Sequence, residues 1–163
     1  MNSLMNTSKE SLTCKISALS TSNYQKQSPL LNKMYLLRYI LSKAALKVLT
    51  TDHWNVKNQI ISLGAGLDNS LETLTDFKCT DFFSVDFDEV IDYRRNLYRD
   101  NINPKSKLIS CDIRDVNKLI RKLIEYNFDF ECKSIVILEC VGIYIFMTVF
   151  QIDYHHITRM LSR

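Results

Sequence analysis

Four positions combine a residue type with a location that suits ligand chemistry: Gly64, Asp86, Asp112 and Glu139. Each ends, or directly follows, a short apolar run that reads as a β-strand. Gly64 and Gly66 sit in Ser62-Leu63-Gly64-Ala65-Gly66-Leu67-Asp68. Without a Cβ they let the backbone turn tightly and approach a ligand. Asp86 lies 22 residues beyond Gly64, close to the ~20-residue spacing at which an acid reaches ribose hydroxyls in nucleotide folds. One ionised carboxylate accepts from two vicinal hydroxyls. Asp112, at the next strand end, is placed to hold an adenine amino group.

The turn has Asn69 where a G-x-G-x-x-G fingerprint has its third glycine. That departure argues against a dinucleotide and its pyrophosphate. A ligand with adenine and ribose but no phosphate fits better, and S-adenosylmethionine is such a ligand. No Ser/His/Asp or Cys/His arrangement accompanies these residues.

The elements that must position them follow from periodicity. Leu30, Met34, Leu37, Leu41, Ala45 and Val48 recur at three- and four-residue steps, predicting a helix from Leu30 to about Leu49 with one apolar face. Gln59–Leu63 reads as a strand entering the glycine turn, and a helix through Leu71 and Leu74 is expected after it, capped by Asp68 or Asn69. A second strand, Asp81–Asp86, precedes a helix from Asp88 to Asn101 with Val90, Ile91, Tyr93 and Leu97 as its apolar residues. A third strand, Lys107–Cys111, precedes a helix from Val116 to Tyr126 with Leu119, Ile120, Leu123 and Ile124 inward. Ser134–Leu138 is the fourth strand. This alternation predicts an α/β chain of Rossmann-like type, a parallel sheet with helices on both faces. In such a sheet the C-terminal strand ends line one crevice, which is where the three acids fall.

Composition sets outer limits. The chain has 163 residues, 46% apolar and 24% charged, with three glycines and two prolines, the balance of one soluble globular domain. A net charge of +3 with dispersed cations neither requires nor excludes nucleic acid. Five cysteines without C-x-x-C spacing, and no signal peptide, predict reduced thiols and a cytoplasmic setting. No metal site is expected, since Cys140 with His155 and His156 lacks ligand spacing. Nor is a membrane span. Ile135–Phe150 is apolar but short, and Glu139 within it would cost about 2–3 kcal/mol at mid-bilayer. Residues 1–13 are expected to be a flexible leader, 14–145 the folded domain and 146–163 a divergent tail.

Five ordered segments carry a family resemblance. Ser28-Pro29-Leu30-Leu31-Asn32-Lys33-Met34-Tyr35-Leu36-Leu37-Arg38 resembles P-x-I-N-R-G-Y-x-x-R, and the glycine turn matches its counterpart closely. Val85-Asp86-Phe87-Asp88-Glu89-Val90 resembles V-D-F-P-x-V. Asp112-Ile113-Arg114-Asp115 resembles D-L-R-D, and Glu139-Cys140-Val141-Gly142-Ile143-Tyr144 resembles E-C-V-L-x-Y. The chain thereby resembles the leucine carboxyl methyltransferases, whose fold is the class I methyltransferase fold. The resemblance implies S-adenosylmethionine as cofactor, contacted by Lys15, Arg38, Gly64, Asp86, Asp112, Ile113 and Glu139. Lys15 and Arg38 would grip its methionine carboxylate, Lys15 through a Cys14-Lys15-Ile16-Ser17-Ala18 segment that resembles C-K-x-x-A. The implied partner is the C-terminal tail of the protein phosphatase 2A catalytic subunit, methylated on its terminal leucine carboxylate. A related branch acts instead on tRNA in wybutosine synthesis.

The chain departs from the family pattern in three places. The helical segment between Tyr24 and Ser28 is shortened, and Lys33 and Met34 replace the Arg and Gly of the first motif. A full sheet of this type has seven strands, and the tail from Phe146 does not resemble the family's continuation. The fold is therefore expected to be incomplete at its C-terminal end, and a truncated, non-catalytic copy stands as an alternative.

Overall fold

Ile60-Ile61, Phe82-Phe83 and Leu108-Ile109 are adjacent apolar pairs. A strand points neighbouring side chains to opposite faces, so these segments need cover on both sides. The computed structural model describes residues 9, 29–51, 58–67, 69, 80–99, 105–132, 134–139 and 141. In it the chain runs α1 (Pro29–Thr51), β1 (Asn58–Leu63), β2 (Thr80–Asp86), α2 (Asp88–Leu97), β3 (Ser106–Ser110), α3 (Val116–Glu125) and β4 (Ser134–Ile137). The four strands form one parallel sheet in the order β3-β2-β1-β4. The α/β class, the parallel sheet and the order of the described elements are those expected from the sequence.

The Ile60-Ile61 and Phe82-Phe83 pairs divide between two cores, and Ile109 joins the first of them. On one face Ile61 and Leu63 of β1, Phe83 and Val85 of β2 and Ile109 of β3 pack with Leu119 and Leu123 of α3 and with Phe128. The Phe128 ring meets Phe83 edge-on, with centroids 5.0 Å apart. On the other face Ile60 and Phe82 pack with Leu46 of α1, flanked by Ile135 and Ile137. The sheet therefore has helices on both faces. The register pairs Ile60 with Phe82, Ile61 with Phe83 and Leu63 with Val85, which keeps each face continuous.

The helices begin and end for local reasons. Pro29 occupies the first helical position of α1, where its missing N–H would have no intrahelical acceptor. Asp88 and Glu89 in the first turn of α2, and Arg94 and Arg95 in its last, complement the helix dipole. Asp115 caps α3 by accepting from the Lys118 amide at 2.9 Å. Asn127, at φ 59°, turns the chain out of α3 in the left-handed region that Asn tolerates.

Side-chain facing differs from expectation in each helix. Leu30, Met34, Leu37, Leu41 and Val48 of α1 are exposed, and among its described side chains the buried one is Leu46. At 3.6 residues per turn Leu46 lies about 160° around from that stripe. In α2, Val90 and Ile91 are buried as expected, but Tyr93 and Leu97 are exposed while Arg94 is buried. In α3, Leu119 and Leu123 carry the contact and Ile124 is exposed. The expected helix through Leu71 and Leu74 lies outside the described residues, as do the tail 146–163 and, Lys9 apart, the leader. Ile135–Ile137 belongs to β4. Among the described residues no helix is long and apolar enough to cross a membrane.

A polar anchor ties β1 to the segment that leads into β4. Gln59 is fully buried; its Nε2 donates to the Asp129 carbonyl at 2.7 Å and to Ser134 Oγ at 3.2 Å, and its Oε1 accepts from the Asp129 amide at 2.8 Å. Gln59→Met keeps the shape but strands the Asp129 amide and carbonyl. It should lower stability by about 2–3 kcal/mol, read as a shift of the urea midpoint at unchanged slope.

Candidate functional site

The strand order fixes where a ligand can bind. From β1 the chain steps to β2 and β3 on one side, then crosses back to place β4 on the other side of β1. The reversal opens a crevice beyond the C-terminal ends of β1 and β4. Gly64–Leu67 follows β1 and Glu139 follows β4, so these two flank it. Asp86 ends β2, and Asp112 follows β3 on the same edge of the sheet.

Both glycines of the turn are left-handed, Gly64 at φ 71° and Gly66 at φ 59°. The Gly64 and Ala65 amides both donate to the Val85 carbonyl, at 2.8 and 3.1 Å. The Gly66 amide donates to Asp86 Oδ2 at 2.7 Å, and the Phe87 amide to Asp86 Oδ1 at 2.8 Å. The two glycines then part company. A Cβ on Gly64 would collide with the Val141 side chain, whereas a Cβ on Gly66 would meet nothing within 4 Å. The sequence assigns both glycines to ligand approach. The structure gives the bare face of Gly64 to Val141, beyond β4, and leaves that of Gly66 open.

The three acids are held differently. Burial pushes the Asp86 carboxyl above its ordinary value, against the Gly66 and Phe87 amides and the positive charge of Arg94. Its two amide bonds leave acceptor capacity on both oxygens. Asp112 goes the other way: hydrogen bonds from Arg114 hold it below the ordinary carboxylate range. Arg114 Nε and Nη2 close on its two oxygens at 2.5–3.0 Å, and the Arg114 guanidinium also lies 5.7 Å from the Phe87 ring centre. Ile113, between them, is half-buried against the α3-side core. Glu139 is ion-paired through Oε1 with Arg38 Nε, both side chains being half-buried. The crevice thus brings together the turn, Asp86, Arg38 and Glu139, with Asp112 and Ile113 after the neighbouring strand. Lys15 lies outside the described residues.

Sequence reasoning missed Arg94 and Tyr98. Arg94 Nη1 donates to the Gly66 carbonyl at 3.2 Å, and the Tyr98 hydroxyl donates to the Leu67 carbonyl at 2.7 Å. The available signal was their spacing of four and eight from Val90, the face on which α2 meets the turn. No group of metal-ligating side chains occurs among the described residues; Cys140, His155 and His156 lie outside them.

The sequence model of the leucine carboxyl methyltransferases matches residues 3–154. The chain belongs to the leucine carboxyl methyltransferase family. No curated protein matches the chain. In this methyltransferase family member, Val141 and Gly64 make one packing unit out of two of the motifs, the glycine turn and the Glu139 segment.

That unit is testable. Gly66→Ala carries only the cost of a positive φ, about 1–2 kcal/mol. Gly64→Ala adds the collision with Val141 and should be clearly more destabilising in urea titrations. In a Val141→Ala background the difference between the two glycine variants should largely vanish, a double-mutant-cycle signature of direct contact.

Proposed function

We propose that this chain binds S-adenosylmethionine in the crevice and methylates the C-terminal leucine carboxylate of the protein phosphatase 2A catalytic subunit. The observation that carries the cofactor reading is the Arg38–Glu139 pair beside the glycine turn. A free amino-acid group is a zwitterion, and a guanidinium next to a carboxylate is its complement. Arg38 suits the methionine carboxylate, since its planar fork can grip two oxygens. Glu139 suits the ammonium. At the other end, Asp86 suits the two ribose hydroxyls, and Gly66 offers a face with no side chain to obstruct them. Asp112 and Ile113 suit the adenine, with Arg114 and Phe87 beside them. Two carboxylates near the turn would repel a pyrophosphate, which again favours a ligand without one.

When bound, the cofactor supplies an electrophilic methyl group on a sulfonium centre. The acceptor carboxylate is ionised at neutral pH, so the chain need not provide a general base. Its residues act by holding donor and acceptor in line and keeping water out, the form of catalysis that depends on alignment. The substrate assignment rests on the family and on the absence of any demand for acid–base side chains.

Calorimetry with S-adenosylmethionine tests the cofactor reading, and absence of heat at saturating ligand would sink it. Asp86→Ala removes charge-assisted hydrogen bonds and should weaken binding at least about tenfold. Methyl transfer to a peptide ending in a free leucine carboxylate, but not to its amide, supports the substrate reading. Transfer to tRNA alone would favour the wybutosine branch, and binding without transfer would mark a non-catalytic copy.

A pH series follows from Asp86. Burial raises its value in the free protein, and hydroxyls bind best to the ionised form. Affinity should therefore fall on acidification, with its midpoint displaced upward from the ordinary aspartate value. Asp86→Ala should abolish that acid limb.

A further inference from the structure

We infer that Arg94 and Tyr98 of the α2 face are positioning residues for the cofactor turn, fixing the open face of Gly66 toward the crevice. The inference rests on the cofactor reading above and adds to it two residues that lie behind the turn rather than in the site.

Val90, Arg94 and Tyr98 follow one another at four-residue steps, so they share one face of α2 and its C-terminal cap. All three engage the turn. Val90 packs on Leu67, with Phe87 against them. Arg94 donates to the Gly66 carbonyl, and Tyr98 to the carbonyl of the next residue, Leu67. Gly66 is consequently held from both sides: its amide is bound by Asp86 and its carbonyl by Arg94. With both flanking peptide planes fixed, the Gly66 Cα has one orientation, although glycine is the residue with the widest conformational freedom.

Arg94 is also an expensive choice for stability alone. It is only 1% exposed, and burying a guanidinium carries a desolvation penalty that an apolar residue of similar length avoids. A methionine would fill the space. What it cannot supply is a donor to the Gly66 carbonyl and a positive charge behind Asp86, which feels Arg94 electrostatically. The guanidinium supports the same carboxylate and the same glycine that face the ribose.

The test uses the full chain and two readouts, amide hydrogen exchange without ligand and calorimetry with S-adenosylmethionine. In Arg94→Met the Gly66 amide should exchange about tenfold faster than in the parent, the loss expected for one buried hydrogen bond. The Phe83 amide, in β2 between β1 and β3, should be unchanged. Cofactor affinity should drop by a similar factor, and Arg94→Lys, which keeps charge and reach, should recover part of both. Tyr98→Phe removes a single oxygen, and should loosen Gly66 and Leu67 even if Arg94→Met fails to fold. Unchanged exchange at Gly66 and Leu67 in Tyr98→Phe, or in an Arg94→Met that folds, would overturn the inference. Exchange that changes as expected, in a parent that gives no heat with the cofactor, would uphold the positioning role while overturning the cofactor reading.

Discussion

The Gly66 amide donates to the Asp86 carboxylate at 2.7 Å, and that bond joins the turn after β1 to the end of β2. The adjacent Gly64 and Ala65 amides reach the same strand through the Val85 carbonyl. Three successive amides of the turn are thus satisfied by two successive residues of β2. The turn is an extension of the sheet ladder, bent by two left-handed glycines. Anything that places β1 and β2 in register, from the Ile61–Phe83 pair to the α3 core beneath them, also sets the position of Asp86 relative to Gly66.

Three carboxylates at one edge of a sheet repel one another unless each is compensated. The chain solves this differently at each position, and the differences sort the acids by task. Asp112 is neutralised by Arg114 two residues away, and Glu139 by Arg38 from α1. Asp86 has backbone amides and a more distant guanidinium, and burial outweighs them. The pH consequences have opposite sign. Asp112, depressed in the folded state, contributes stability above its ordinary value that is lost as pH falls through the depressed one. Asp86, raised in the folded state, destabilises the fold progressively as pH rises through its raised value. A carboxylate kept under that strain at neutral pH is a stability liability, and such liabilities gather where function demands them.

The sheet was legible because each strand is a compact apolar run ending at a turn residue or an acid, and the sheet's two covered faces explain why the runs do not alternate with polar residues. The helix faces were less so. In α1 the periodic stripe Leu30–Val48 is real, yet Leu46 on the opposite side is the residue that meets Ile60 and Phe82. Periodicity finds a stripe but says nothing about which neighbour is present. In α2 a cation on the inward face was read past because arginines are mostly solvated. The Gly66 carbonyl, in a turn distant in sequence, gives the buried Arg94 an acceptor. The packing of Gly64 was hidden for the same reason: its partner, Val141, lies beyond another strand and joins it through the β1–β4 pairing. The acids at Asp86, Asp112 and Glu139 were legible because strand ends share an edge by topology alone. The Arg114 clamp on Asp112 is a local contact, two residues apart, that topology does not fix.

A methyl transfer that needs no base leaves the protein with a purely geometric task. Under the proposed reading the two ends of the cofactor are held by unlike means. The adenosine end meets the ends of β2 and β3, where backbone amides hold Asp86 and Arg114 holds Asp112. The amino-acid end meets a side-chain pair drawn from α1 and from the residue after β4, so its geometry depends on how the helix sits against the sheet. Among the described residues Leu46 ties α1 to that face. Arg38 lies two helical turns N-terminal to it, a lever arm of about 12 Å at 1.5 Å per residue. Small shifts of α1 are therefore magnified at Arg38 while Asp86 stays put. The ion pair with Glu139 opposes that movement, holding the guanidinium at the crevice by attraction where the sheet ladder does not reach.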